Sequence, residues 1–183
     1  TMRHDVPGST AAWLLYSGSK SNLAAWADFP RTVETGKNAF ERVHGKDAWT
    51  YFAEHPEEGQ VFNQAMVDLT DLQAPAVVAS YPFSNFKTIC DVAGGRGALL
   101  ASVLLKHSGP RGWLVDEAHV LEQAGAFLAS RGVADRVDRK PGNMFVDIPA
   151  GADAYMLKEI LHDWDAARSL LIQPAPSRSN IAQ

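Results

Sequence analysis

Asp91-Val92-Ala93-Gly94-Gly95-Arg96-Gly97 is the stretch of this 183-residue chain best suited to chemistry. The β-branched, apolar run Lys87-Thr88-Ile89-Cys90-Asp91-Val92 enters it, and an Ala/Leu-rich run ending near Lys106 leaves it. That order reads as strand, glycine loop and helix. Glycines in such a loop let the backbone turn tightly, and they let a ligand approach main-chain N–H groups at a helix N-terminus, where the helix dipole favours negative charge. A dinucleotide fingerprint starting at Gly95 would place its third glycine where Leu100 stands, so the nicotinamide reading loses ground. Asp116 lies at the end of the next apolar run, roughly twenty residues beyond the loop, the spacing at which a carboxylate meets a ribose. A carboxylate there can accept two hydrogen bonds from vicinal hydroxyls. Asp91, the loop and Asp116 together ask for a nucleoside ligand, whereas the loop alone would serve equally as a tight strand-to-helix turn.

The elements that must position these residues follow from pattern. Gly112 to Asp116 reads as a second strand, Ala118 to Arg131 as a helix stopped by Gly132, Val137 to Lys140 as a third strand and Ala154 to Lys158 as a fourth. Strands alternating with helices of this length predict βαβ units on a parallel sheet. The fold class is therefore α/β, a Rossmann-like parallel sheet of about four strands. Before Asn85 no stretch alternates with period two, so the N-terminal region is expected to be mainly helical. One short helix is predicted over Ala11 to Tyr16, and two over Phe40 to Leu72, divided at Pro56 and Gly59. The expected organisation is a partial helical region over 1–84, the sheet region over 85–173, and a tail over 174–183 whose Pro/Ser content reads as unstructured chain.

Composition narrows the function. Lys and Arg number 17 against 21 Asp and Glu, a formal charge of −4, the wrong sign for neutralising phosphates, so no nucleic-acid partner is expected. The single cysteine, Cys90, excludes an intramolecular disulfide and a cysteine-based structural zinc site, and no metal-ligand spacing is visible. A reducing cytoplasm is the expected compartment. The apolar run at Ala98 to Ala101 is far shorter than the ~20 residues of a bilayer span, and no signal-peptide pattern opens the chain, so no membrane partner is expected.

The chain resembles the class I S-adenosylmethionine-dependent O-methyltransferases of the plant caffeic-acid and bacterial polyketide-tailoring type. The resemblance runs from Thr32 to Ile172. It is carried by Glu34-Thr35-Gly36, Phe40 to Gly45, Phe62-Asn63-Gln64-Ala65-Met66, Asp91 to Gly97, Gly142-Asn143-Met144-Phe145, Pro149 to Tyr155 and, above all, Lys158-Glu159-Ile160-Leu161-His162-Asp163-Trp164. It implies S-adenosylmethionine as cofactor, cradled by the loop from Asp91 through Ala93 and Gly95, with Asp116 on its ribose. Asn143 and Met144 would contact the adenine, and Lys158 would reach toward the cofactor. His162 would be the catalytic base that takes the proton of a hydroxylated small-molecule acceptor, with Phe62, Asn63 and Met66 on the acceptor-pocket helix. Members of the family homodimerise.

Several positions depart from that family. Ala93 stands where a glycine is usual, and an alanine fits there without strain only if φ is negative. Asn143 replaces an aspartate, keeping an acceptor oxygen for the adenine amine but not the charge. Glu117-Ala118 replaces a Leu-Pro pair. Relatives are about twice as long, and no carboxylate of this chain is assigned as the partner of His162; the bland alternative for Asp163 is a cap for the following helix, orienting nothing. Truncation is therefore expected to weaken catalysis. The alternatives are a non-catalytic association module and, with less support, a nucleotide-dependent oxidoreductase.

Overall fold

The computed structural model describes residues 2, 3, 6 and 8–174. The chain divides into two compact units between Leu72 and Gln73. The tail expected from residue 174 lies, beyond Pro174, outside the described residues.

The first unit is helical, with more helices than the pattern predicts. Helices α1 (Ala11–Ser17), α2 (Lys20–Ala27) and α3 (Phe29–Thr35) replace the single early helix, and α4 (Ala39–His44) and α5 (Ala48–Glu54) precede α6 (Pro56–Ser80). Helix α2 is hard to read because its apolar residues form no clear stripe; the Ser19 hydroxyl sets its start by accepting the Asn22 N–H at 3.3 Å. The expected division at Pro56 and Gly59 is half right. Pro56 is the first residue of α6, where its missing N–H costs nothing, but Gly59 lies inside the helix, packed under Phe52. Aromatic rings fill this unit: Phe62 stacks on Phe52 at 5.0 Å and meets Tyr16 edge-on at 5.2 Å and Trp49 at 5.7 Å. Helix α6 carries the chain through the division into the second unit.

The second unit is a four-stranded parallel sheet in the order β3-β2-β1-β4, with β1 Thr88–Val92, β2 Arg111–Asp116, β3 Val137–Pro141 and β4 Ala154–Met156. Helices α7 (Ala98–Lys106) and α8 (Ala118–Ser130) connect β1 to β2 and β2 to β3. Alternation along each strand splits the core in two. Ile89 and Leu114 pack with Leu100, Leu104, Leu121 and Leu128, while Cys90, Val92 and Val115 pack with Ile148 and Ile172 on the other face. Asp153, just before β4, ties the start of that strand to the start of β1, its Oδ2 accepting the Lys87 and Thr88 N–H groups at 2.8 Å each. β4 is shorter than the five residues expected. The chain leaves the sheet after Met156, and Glu159 adopts a left-handed backbone (φ 56°) that turns it toward the 3₁₀ turn Leu161–Asp163. A short α9 (Ala166–Ser169) follows, its first turn capped by Asp165.

Candidate functional site

The glycine loop sits at the carboxyl end of β1, between that strand and α7, and it is built around two carboxylates. Asp91 occupies the helix-covered side of β1 one residue before the strand ends, so its side chain points under the loop and is 2 % exposed. Gly94 lies directly on it: a Cβ at that position would stand 2.6 Å from both Cγ and Oδ2 of Asp91 and 2.7 Å from Leu114 Cδ1. Only glycine therefore leaves room for the buried carboxyl. From the other side, Asp116 at the end of β2 accepts the Gly95 N–H on Oδ2 and the Glu117 N–H on Oδ1, both at 2.8 Å. Gly95 has φ 60° and open space where a side chain would project, so the loop presents bare backbone there. Gly97, with φ 82°, begins α7.

Burial and the negative charge of Asp116 push the Asp91 carboxyl up to about 7, against the opposing pull of the Leu100 N–H and the Lys158 ammonium. Burial also raises Asp116, with the Gly95 and Glu117 N–H groups opposing it. The neighbouring Cys90 thiol is pushed up to about 12 by burial and by Asp91, which leaves it neutral and unreactive.

Ala93 departs from its expected backbone. It has φ 52°, the left-handed region, so the condition under which an alanine would fit without strain is not met. Asn143 and Met144 lie just beyond β3. The Asn143 Oδ1 accepts the Phe145 N–H at 2.9 Å and so closes a local turn, with a second lone pair left on the oxygen expected to face an adenine amine. Met144 packs on the Cys90, Val92 and Val115 face of the sheet.

Lys158 and His162 follow β4. The Lys158 ammonium lies 3.0 Å from the Glu159 carboxylate. Burial opposes ionisation of Glu159, yet Lys158 and the Gln73 side chain hold its carboxyl below the ordinary range. His162 is not without a carboxylate: its Nε2 lies 3.2 Å from Asp163 Oδ1, in a pair whose imidazole is 64 % exposed. The alternative in which Asp163 caps the following helix does not hold, because the Arg168 N–H is accepted at 2.8 Å by Asp165. Among the described residues, no group of three or more His, Cys, Asp or Glu side chains could hold a metal ion. No described helix is long and apolar enough to cross a membrane.

The O-methyltransferase domain model matches residues 26–173, through both the glycine loop and the Lys158 to Trp164 segment. The chain belongs to the O-methyltransferase family. It is 42 % identical over 171 residues to a phenazine O-methyltransferase of Lysobacter antibioticus, covering 93 % of this chain and 50 % of that protein. It superposes on the structure of LaPhzM with a TM-score of 0.89, at 42 % identity, over 93 % of this chain and 51 % of that one. It also superposes on an O-methyltransferase of neocarzinostatin biosynthesis (NcsB1) in complex with S-adenosylmethionine and 2-hydroxy-5-methyl naphthoic acid. That TM-score is 0.83 at 26 % identity, over 93 % of this chain and 53 % of that one. The chain thus spans about half the length of the relatives it matches.

Family membership displaces the oxidoreductase alternative. Of the site residues anticipated from the sequence, the fold brings Asp91, Ala93, Gly95 and Asp116 to one loop, with Lys158 close enough to act on Asp91. Phe62, Asn63 and Met66 stand within about one turn of α6 in the first unit, with Phe62 inside its aromatic cluster. Glu159 is the residue that the pattern missed, and no sequence signal marks it, since glutamate has no preference for the left-handed backbone it adopts.

Proposed function

We propose that this chain carries the donor-binding half of an S-adenosylmethionine-dependent O-methyltransferase whose acceptor is a hydroxylated aromatic or polyketide-like small molecule. The observation that supports it best is the loop bracketed by Asp91 and Asp116 at the carboxyl ends of adjacent parallel strands. The order β3-β2-β1-β4 reverses direction at β1, and ligands of open α/β sheets bind in the crevice where the order reverses. The loop follows β1 and Lys158 follows β4, so both flank that crevice.

The residues present fit the donor. Gly95 leaves open backbone, and Asp116 holds a carboxylate beside it for the ribose hydroxyls. Met144 supplies an apolar surface for the adenine, and Lys158 stands at the cofactor side of the crevice. The donor supplies an already activated methyl group, which leaves the protein to align the acceptor and take its proton. His162 takes that proton, and Asp163 beside its Nε2 steadies the imidazolium that forms. The first unit is part of an acceptor-binding and dimerisation region, with Phe62, Asn63 and Met66 as its acceptor-binding residues, in a protein expected to work as a cytoplasmic homodimer.

Isothermal titration with S-adenosylhomocysteine tests donor binding directly; Asp116→Ala should abolish it. In a transfer assay with hydroxylated aromatic acceptors, His162→Ala should lower turnover by about 10²–10⁴ and leave donor affinity unchanged. Equal loss of affinity in His162→Ala would contradict its role as base.

A further inference from the structure

Glu159 holds a left-handed backbone, φ 56°, which a residue with a long side chain adopts at a cost and which glycine or asparagine adopts more readily. The fold accounts for the turn but not for the residue. Leu157 and Ile160 on either side of it, with Trp164 beyond, pack on the Cys90, Val92 and Val115 face of the sheet, so the chain must turn between them. A glycine would serve that packing with less strain. What glutamate adds is a carboxylate with two partners inside the second unit, the Lys158 ammonium at 3.0 Å and the side chain of Gln73 on α6. Just beyond it, the Asp163 N–H closes the 3₁₀ turn on the Ile160 carbonyl at 3.2 Å, and His162 stands out from that turn, 64 % exposed. Asp163, 3.2 Å from the His162 Nε2, belongs to the same turn and moves with it, so it cannot hold the imidazole to the rest of the fold. The link from Glu159 to Gln73 reaches another element and can do so. Backbone strain persists only where the surroundings hold it in place, and here what holds it stands beside the base.

We propose, resting on the reading of His162 as the base, that Glu159 is a positioning residue for methyl transfer: its carboxylate, joined to Lys158 and to Gln73 of α6, fixes the turn that carries His162 where the acceptor's proton is taken. The left-handed backbone is what that placement costs. The charge of Glu159 also reaches His162 and Asp163. When the imidazole takes up the proton, its new positive charge therefore lies in the field of two carboxylates, with the Lys158 ammonium opposing. Stability and turnover are set against each other at this position. A residue at ease in the left-handed region but too short to reach Gln73 relieves the backbone and frees the turn.

The test compares Glu159→Asn and Glu159→Gln with the wild-type 183-residue protein by melting temperature, by amide hydrogen exchange over residues 158–164, and by transfer to the hydroxylated aromatic acceptor that the wild type methylates fastest. Glu159→Asn should melt at or above wild type, exchange faster over that segment, and lose about 10–10²-fold in kcat with the acceptor KM unchanged, as misplacement of a reacting group does. Glu159→Gln keeps the length and a hydrogen bond to Gln73 but also the strain, so it should melt no higher than wild type and retain more turnover than Glu159→Asn. Gln73→Ala leaves the backbone at 159 untouched; it should reproduce the loss in kcat, and combined with Glu159→Asn it should lose no more than either alone. Wild-type kcat and exchange in Glu159→Asn overturn the proposal and leave His162 as the base. A loss of turnover that only follows a fall in melting temperature overturns it too, since Glu159 would then be a structural residue. Absence of transfer by the wild-type chain overturns both readings.

Discussion

Replacing Ala93 by glycine should stabilise the second unit, although the same exchange elsewhere in a folded chain is costly. Ala93 is held at φ 52°, where the alanine Cβ crowds the following carbonyl at a cost of roughly 1–2 kcal/mol. Glycine removes that cost but gives the unfolded chain more freedom, worth about 0.4–1 kcal/mol in the other direction. Ala93 is half-buried, so losing its methyl forfeits about 0.4 kcal/mol more. The balance is a gain of about 0.5 kcal/mol, or one to two degrees in Tm for a chain of this size. Ala101 is the matched control. It lies inside α7 at 1 % exposure with an ordinary helical backbone, so Ala101→Gly should cost about 1.5–2 kcal/mol in helix propensity and buried surface. Urea denaturation of both variants measures the difference, expected at about 2 kcal/mol. The reasoning is refuted if Ala93→Gly destabilises the chain to the same degree as Ala101→Gly, because backbone strain at 93 would then be absent.

Three further outcomes follow from the same geometry. Gly94→Ala should lower stability by about 1–3 kcal/mol, because the new methyl would stand 2.6 Å from the Asp91 carboxyl and 2.7 Å from Leu114; a melting temperature within a degree of wild type would show that the loop can yield there. The Asp91 carboxyl titrates near 7 in the folded chain and near 4 when unfolded, so the folded state holds more protons in between. Stability should fall as pH rises through that window and level off above it. Asp91→Asn should remove this slope and gain on wild type by up to the order of 4 kcal/mol between pH 4 and 8, and a stability difference independent of pH would count against it. Phe62→Ala should cost about 2–3 kcal/mol through loss of its stacking on Phe52, Tyr16 and Trp49, read as faster hydrogen exchange over residues 48–66; unchanged protection would mean that the ring is not part of that core.

What could be read from the sequence was decided by how local the cause is. The sheet and its loop were legible because a strand buried on both faces must be continuously apolar, as Ile89 to Val92 nearly is, and because Asp91 is the one charge in that run, placed just before the glycines. The early helices were not. Lys20–Ala27 and Phe29–Thr35 are short and weakly patterned; the first is started by the local Ser19 cap, and Asp28 between them is held by an ion pair with Arg42, a contact between residues far apart in the chain. The site divides in the same way. Asp116 falls at the end of β2 as expected because that position depends only on strand length and on where the strand ends. For Asp163 the sequence leaves two equally local uses, a cap or a partner of His162, and Asp165, two residues on, takes the cap.

The electrostatic state of the site is the least local property of all. Nothing in Asp91-Val92-Ala93-Gly94-Gly95 says whether Asp91 is charged; that depends on Asp116, twenty-five positions away, on Lys158, farther still, and on how tightly Gly94 closes over the pocket. A family motif therefore specifies which residues build the loop but not the protonation that they adopt. The replacements of glycine by Ala93 and of aspartate by Asn143 differ structurally in the same terms. The first strains the backbone over Asp91, at the position where the loop meets the buried charge. The second removes a charge outside that pocket and puts the remaining amide oxygen to use in a turn with Phe145. Of the two departures, Ala93 is the one whose reversal should be felt in donor affinity as well as in stability.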